Sequence, residues 1–175
     1  IFLVLLYICF KSLNQYRYHS GEVVWGIVTE NDIENALEYQ KDHPSKKIGD
    51  ILYILNASEP NKLIEAIGDI IGTKGILLTH SKIKIKITDY ISLDVAQKNK
   101  VVPFEVSAGK IKVCFADTAN NRNMDTVRLL FLNRGLVMEN YVTFESDIDR
   151  ILQSLEGTAT TTLENESGND TITGV

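Results

Sequence analysis

The chain has 175 residues, 44% of them hydrophobic and 23% charged, which suits one globular domain or two small lobes sharing a boundary. Its net charge is −5, and outside the base-free stretch 157–175 it carries 18 bases against 20 acids, without the basic stripe that a nucleic-acid-binding surface requires. Cys9 and Cys114 lie far apart in sequence, which reads as two reduced, buried thiols in a domain facing the cytosol.

The first residue is Ile1 rather than Met, which points to a piece of a longer or processed protein. Residues 1–10, IFLVLLYICF, carry no charge. Ten residues are too few to cross a bilayer, which takes about 20, and no basic start or small-residue cleavage site marks a signal peptide. The run reads as the end of a transmembrane helix, with Tyr7, Lys11, Tyr16 and Arg17 at the interface and the following chain in the cytoplasm. The alternative is a short helix packed on the domain. Residues 1–16 are therefore set apart from the rest.

The stretch GIVTENDIENALEYQ, residues 26–40, predicts a helix in which every local rule agrees. Thr29 is the N-cap and Asp32 the capping-box acid, while Val28 and Ile33 form a hydrophobic staple. Ile33, Ala36 and Leu37 share one face, and acids lead while Lys41 trails, as the helix dipole favours. His43-Pro44 breaks the chain. Ser45 is the candidate cap of a second helix with Ile48, Ile51, Leu52 and Leu55 in a stripe. Ser58 and Pro60 open a third, with Leu63, Ala66, Ile67 and Ile70 inward and Gly72 near its end. Shifted by 30 residues, the chain lines up with itself: Arg17 meets Lys47, Gly26 meets Asn56, Ile33 meets Leu63, Ala36 meets Ala66, and Leu37 meets Ile67. This is a two-copy repeat in a helical lobe over 17–74.

From Gly75 the period changes. Residues 76–79 and 82–88 read as strands, the second alternating Lys and Ile. A short helix over 92–99 follows. Strands over 101–107 and 111–116 flank the hairpin signal Ala108-Gly109-Lys110. A helix over 123–133 stops at Gly135, a strand runs over 136–144, and Ser146 is the candidate cap of a last helix over 147–155. The fold class is α+β: a small three-helix lobe built on the repeat, then an α/β sandwich lobe with a mixed sheet over 75–156. Residues 157–175, rich in Thr, Gly and Asn, cannot bury enough to offset their ordering entropy and read as a flexible tail or linker.

The order GIVTENDIENALEYQ, KKIGDIL, then LDVAQKNKVVPFEVSAGKIKVCFADTAN resembles the N-terminal domain of type II secretion and type IV pilus assembly ATPases, the MshE N-terminal-like domain. The resemblance covers roughly residues 17–155. It implies a non-catalytic regulatory or docking module of a larger bacterial protein, engaging a protein partner or neighbouring domain at the cytoplasmic face of the inner membrane. Two settings fit: ahead of a secretion or pilus motor, or as a C-terminal appendage of a membrane glycosyltransferase, which better suits an apolar run upstream.

Some members of that family bind cyclic di-GMP through two copies of an Arg-Leu-Gly motif. In the first copy, Arg17, Gly26, Ile33, Leu37 and Gln40 stand at matching positions, with Tyr18 and His19 replacing Leu and Gly and Glu22 replacing an apolar residue. In the second, Lys47, Ile48, Gly49, Leu52, Leu63 and Ile67 match in type, with Asn56 replacing Gly and Ile70 replacing Gln. Lys offers a point charge where Arg offers a planar fork, and His19 removes a close backbone approach. The resemblance thus implies a docking module in which nucleotide binding is weakened or lost; the alternative is a cyclic di-GMP sensor.

No G-x-x-x-x-G-K-[ST] occurs, so no P-loop lies in the chain, and no catalytic constellation is present. Gly72-Thr73-Lys74-Gly75 reads as a helix-to-strand turn. His19, His43 and His80 have no metal-ligand spacing, with each other or with either cysteine. Lys82, Lys84 and Lys86 read as the solvated face of an edge strand, and Asp117 as a turn residue.

Overall fold

The computed structural model describes residues 27–117 and 121–166. Arg17, Gly26, Cys9, the apolar run 1–10 and residues 167–175 lie outside the described residues.

The first helix, α1 (Glu30–Asp42), begins as its sequence dictates. Asp32 N–H donates to Thr29 Oγ1 at 3.2 Å and Thr29 N–H donates to Asp32 Oδ2 at 2.8 Å, a complete capping box. Val28 and Ile33 are both buried in the same apolar cluster, as a staple requires. The second helix, α2 (Ile48–Ile54), and the third, α3 (Pro60–Ile70), follow after short loops. Helices α1 and α3 start 30 residues apart, at the spacing of the repeat, and Ile33, Leu37, Leu63 and Ile67 join one cluster.

The caps of α2 and α3 differ from expectation. Lys47, not Ser45, is the N-cap of α2, and Glu59, not Ser58, that of α3; neither makes a side-chain cap bond. Pro60 does occupy the first helical turn, where its missing N–H costs nothing. Both helices leave through the same device. Asn56 (φ 53) and Gly72 (φ 72) are left-handed, and the next N–H bonds back over six residues, Ala57 to Leu52 O and Thr73 to Gly68 O. These are Schellman exits.

The sheet has four strands: β1 (Lys74–Gly75), β2 (Val101–Ser107), β3 (Lys110–Phe115) and β4 (Val137–Val142), in the order β1-β4-β3-β2. β1 and β4 are parallel, β4 and β3 parallel, β3 and β2 antiparallel, so the sheet is mixed. The hairpin turns on Ala108 and Gly109, both with positive φ, which matches the twist of a two-residue turn. Helix α4 (Leu93–Asn99) is capped by Ser92, α5 (Asn121–Leu132) ends at Gly135 with φ 73, and α6 (Glu145–Glu166) closes the described chain. Their apolar faces, Ala96, Val127, Phe131, Ile148 and Ile151 among them, bury against Val101, Ile111, Val113 and Phe115. Cys114 is buried there too, and burial pushes its thiol pKa up.

Three further elements differ from the sequence reading. Residues 76–79 and 82–88 are not ladder strands: the chain runs through two 3₁₀ turns, His80–Lys82 and Ile87–Asp89. Alternation specifies a face rather than a partner. Ile83 and Ile87 meet the core, and Lys84 N–H reaches Phe104 O at 2.7 Å, so the segment lies along β2 as a cover. Lys84 joins Lys112 on Glu105, at 2.7 Å each, and the two ammonium groups pull that carboxyl down to about 2. Ser146 sits inside α6 rather than capping it, and α6 runs on to Glu166 instead of ending at Leu155. A helix already nucleated extends at little cost even without an apolar stripe.

The helical lobe meets the sheet where two glycines face each other. A Cβ on Gly75 would lie 1.9 Å from Ile64 O, and one on Gly68 would lie 2.3 Å from Gly75 N. Both obstacles are backbone, so α3 or β1 would have to move. Gly75→Ala is expected to cost about 1–3 kcal/mol in denaturant unfolding, as overpacking at rigid contacts does. A loss below about 0.5 kcal/mol would show that the two elements are not in fixed contact.

Candidate functional site

Between the helical lobe and the sheet lies an apolar groove with a cavity of about 320 Å³. The helical side is formed by Ile33 of α1, Lys47 to Asp50 and Leu52 around α2, and Ile64, Ile67, Ile70 and Ile71 along α3. The sheet side is formed by Ala116 after β3, Val142 at the end of β4, and Thr143 and Phe144 leading into α6. Ile70 and Ile71 form an exposed rim, at 38% and 46% accessibility. Aliphatic side chains at the C-terminal end of an amphipathic helix normally close onto a neighbour; here they face open space.

Six of the motif positions that the family resemblance singled out line this groove: Ile33, Lys47, Ile48, Gly49, Leu52 and Ile67. Leu63 is fully buried in the lobe core and Leu37 half-buried in the same cluster, so both support the wall without lining it. Gln40 turns elsewhere, donating from Nε2 to Lys46 O at 2.7 Å and fixing the α1–α2 loop. The second copy is thus gathered at one place. Arg17 and Gly26 of the first copy lie outside the described residues.

The polar groups at the groove are engaged within the protein. Lys47 Nζ donates to Ala116 O at 2.9 Å and lies 3.3 Å from Asp117 Oδ2, tying α2 to the end of β3. Both side chains of that pair are nearly half exposed, so it contributes little to stability. Gly49 does not leave its Cα open to a ligand, because a Cβ there would lie 2.8 Å from Ile67 Cδ1. Asp117, read as a turn residue, is instead the ionic partner of Lys47.

Asp50 is the residue the sequence reading missed. It is 7% accessible, and its Oδ1 accepts the Glu145 N–H at 2.7 Å, the first amide of α6. A carboxylate from the helical lobe therefore caps a helix of the other lobe. One turn on, Tyr53 stacks on Phe144 with ring centroids 4.0 Å apart and donates from its hydroxyl to Asp147 Oδ1 at 3.1 Å. Asp147 is fully buried and also bonds Arg150. Burial pushes the Asp50 carboxyl up to about 6; the Glu145 N–H opposes this, the Glu145 carboxylate adds to it, and Lys47 and Lys46 oppose it. The only sequence signal was an acid inside the apolar run Ile48–Leu55.

Elsewhere, His43 stacks on Tyr39 at 4.2 Å, and His80 opens a 3₁₀ turn. Among the described residues no group of His, Cys, Asp and Glu has the arrangement of a metal site, and no helix is long and apolar enough to cross a membrane.

The raised Asp50 pKa sets a pH dependence. Folded Asp50 holds its proton up to about pH 6, whereas unfolded it releases it near 3.8. The folded state binds more protons in this window, so stability present below about pH 4 is lost as pH rises through 6. Asp50→Asn keeps an acceptor for Glu145 and removes the titration. Relative to that variant, the wild-type protein is expected to lose on the order of 3 kcal/mol between pH 4 and pH 7 in urea unfolding. Parallel stability profiles for the two would refute this.

The sequence profile described as the MshEN domain matches residues 71–162, leaving most of the helical lobe outside the match. Among solved structures, the chain is similar to MshE with cdg, at 18% identity and a TM-score of 0.49, over 74% of this chain and 91% of that one. It is also similar to the N-terminal domain of XpsE, at 17% identity and a TM-score of 0.45, over 73% and 85%. No curated protein matches.

Proposed function

The chain belongs to the MshEN domain family, and on that footing we propose that it is a non-catalytic regulatory or docking module of a larger bacterial protein. It works at the cytoplasmic face of the inner membrane, either in secretion or pilus machinery or as an appendage of a membrane glycosyltransferase. The observation that carries this reading is the groove: a lined apolar cavity of about 320 Å³ with a bare aliphatic rim, whose Lys47 is already held by Ala116 and Asp117. Such a surface suits apolar side chains of a partner protein or neighbouring domain better than it suits a dianion. The division into a helical lobe over 17–74 and an α/β lobe over 75–156 belongs to the same proposal.

A second reading has one observation in its favour. The residues Lys47, Ile48, Gly49, Leu52 and Ile67, which match the second cyclic di-GMP motif of the family, converge on this groove. Against it, the Ile67 side chain lies beside Gly49, and a ligand phosphate would compete with Asp117 for Lys47.

Two measurements test these readings. Ile71→Asp places a charge on the exposed rim without touching the core, and is expected to lower cross-linking of the full-length protein to its docking partner or neighbouring domain several-fold. Unchanged cross-linking would argue against docking through this face. In calorimetric titration, cyclic di-GMP is expected to bind no tighter than tens of micromolar, about −6 kcal/mol. A submicromolar dissociation constant abolished by Lys47→Ala or Arg17→Ala would make the sensor reading the correct one.

A further inference from the structure

The two copies of the repeat are covered unequally. In the second copy, α2 lies against the face of α3 that carries Leu63 and Ile67. A Cβ on Gly49 would lie 2.8 Å from Ile67 Cδ1, and Leu63 is fully buried in the cluster that Leu52 shares. The counterpart face of α1 carries Ile33 and Leu37, and there Ile33 opens into the groove. Among the described residues only Ile27, Val28 and Thr29 precede α1. Shifted by 30 positions, the counterpart of α2 is residues 18–24, and the counterpart of Asn56, the left-handed exit of α2, is Gly26. Glycine enters that conformation more readily than any other residue, so the chain before Ile27 is equipped to turn back onto the lobe.

That chain also starts from the groove. Ile27 and Val28 are buried in the cluster that holds the groove residues Ile33, Leu52, Ile64, Val142 and Phe144. Trp25 stands two residues before Ile27, a reach of at most about 7 Å, and Val23 four residues before it, a reach of about 14 Å. Val23-Val24-Trp25 carries no charge and includes the one tryptophan of the sequence, a side chain with a large apolar surface to bury. The match to α2 is imperfect, because His19 stands for Gly49 and Glu22 for Leu52. A side chain at the place of Gly49 excludes the close approach that α2 makes, and a carboxylate does not suit the place of Leu52. The apolar end of the segment is therefore the part that suits a cavity of about 320 Å³.

We infer that the groove has a resident occupant, Val23, Val24 and Trp25 of the same chain, which seat beside Ile33 and must be displaced before a partner docks. The displacement rests on the reading of the groove as a docking site; the filling does not. A partner then meets an open groove only part of the time, and its apparent affinity falls by that fraction.

Tryptophan fluorescence of the 175-residue chain tests the filling directly, since Trp25 is the single emitter of its kind. Emission is expected to be blue-shifted and acrylamide quenching several-fold weaker than in the urea-unfolded chain. Ile70→Asp and Ile71→Asp, each on the exposed rim, are expected to restore quenching towards the unfolded value. Quenching of the folded wild-type chain that equals the unfolded value overturns the inference. So does protection that neither rim variant reduces, because Trp25 is then buried elsewhere. Trp25→Ser is next expected to raise cross-linking of the full-length protein to its docking partner several-fold. If rim-dependent protection of Trp25 is found but cross-linking responds neither to Trp25→Ser nor to Ile71→Asp, the docking reading fails and the resident occupant stands. If cross-linking falls with Ile71→Asp while Trp25 is quenched as freely as in urea, docking stands and the resident occupant is overturned.

Discussion

The contact between Asp50 and the first amide of α6 is the constraint on which the arrangement of the two lobes depends. A helix start presents N–H groups with no partner of their own, and the chain around Glu145 supplies none that serves. The helical lobe supplies the acceptor instead, and in doing so removes a carboxylate from water. Tyr53, one turn along α2, repeats the pattern with Phe144 and Asp147. The lobes are thus joined by polar bonds made inside an apolar boundary, where direction matters more than area. Such a joint fixes orientation, because a carboxylate must meet one particular N–H, while the apolar contacts around it tolerate sliding.

The groove follows from that orientation. With α2 held against Phe144, helix α3 lies along the sheet edge, where the Gly68–Gly75 approach lets backbone meet backbone. Ile70 and Ile71 at the end of α3 are left partly uncovered. Lys47 bridges the narrow end by binding Ala116 and Asp117.

What could be read from the sequence was what local chemistry decides. The α1 capping box, the Ala108-Gly109 hairpin and the glycine exits at 72 and 135 each rest on residues within a few positions of one another. The repeat was legible because α1 and α3 carry the same apolar face, and Ile33, Lys47 and Ile67 from its paired positions line the groove. What was illegible depends on distant partners. Ser45, Ser58 and Ser146 are the nearest cap candidates, yet the amide of Glu145 goes to an aspartate 95 residues away. The Lys–Ile alternation over 82–88 marks a buried face correctly, but how far the segment pairs with the edge strand β2 before turning at Ile87–Asp89 depends on a distant partner that no local pattern contains. The sheet wall of the groove, Ala116 and Val142 to Phe144, has no signal of its own for the same reason.

That separation of 95 residues has a consequence during synthesis. Ribosomes add roughly 5–20 residues per second, so Asp50 emerges on the order of 5–20 s before the amide it caps. β4, which receives β1 across a gap of 67 residues from Lys74 to Tyr141, arrives only a little sooner. The helical lobe, by contrast, completes its own capping box and Schellman exits as soon as they leave the tunnel. For that interval its inner surface, Leu52, Ile64 and Ile67, faces water with no sheet behind it. The nascent chain is therefore most exposed to chaperones, and to neighbouring copies of itself, through the same aliphatic face that later lines the groove.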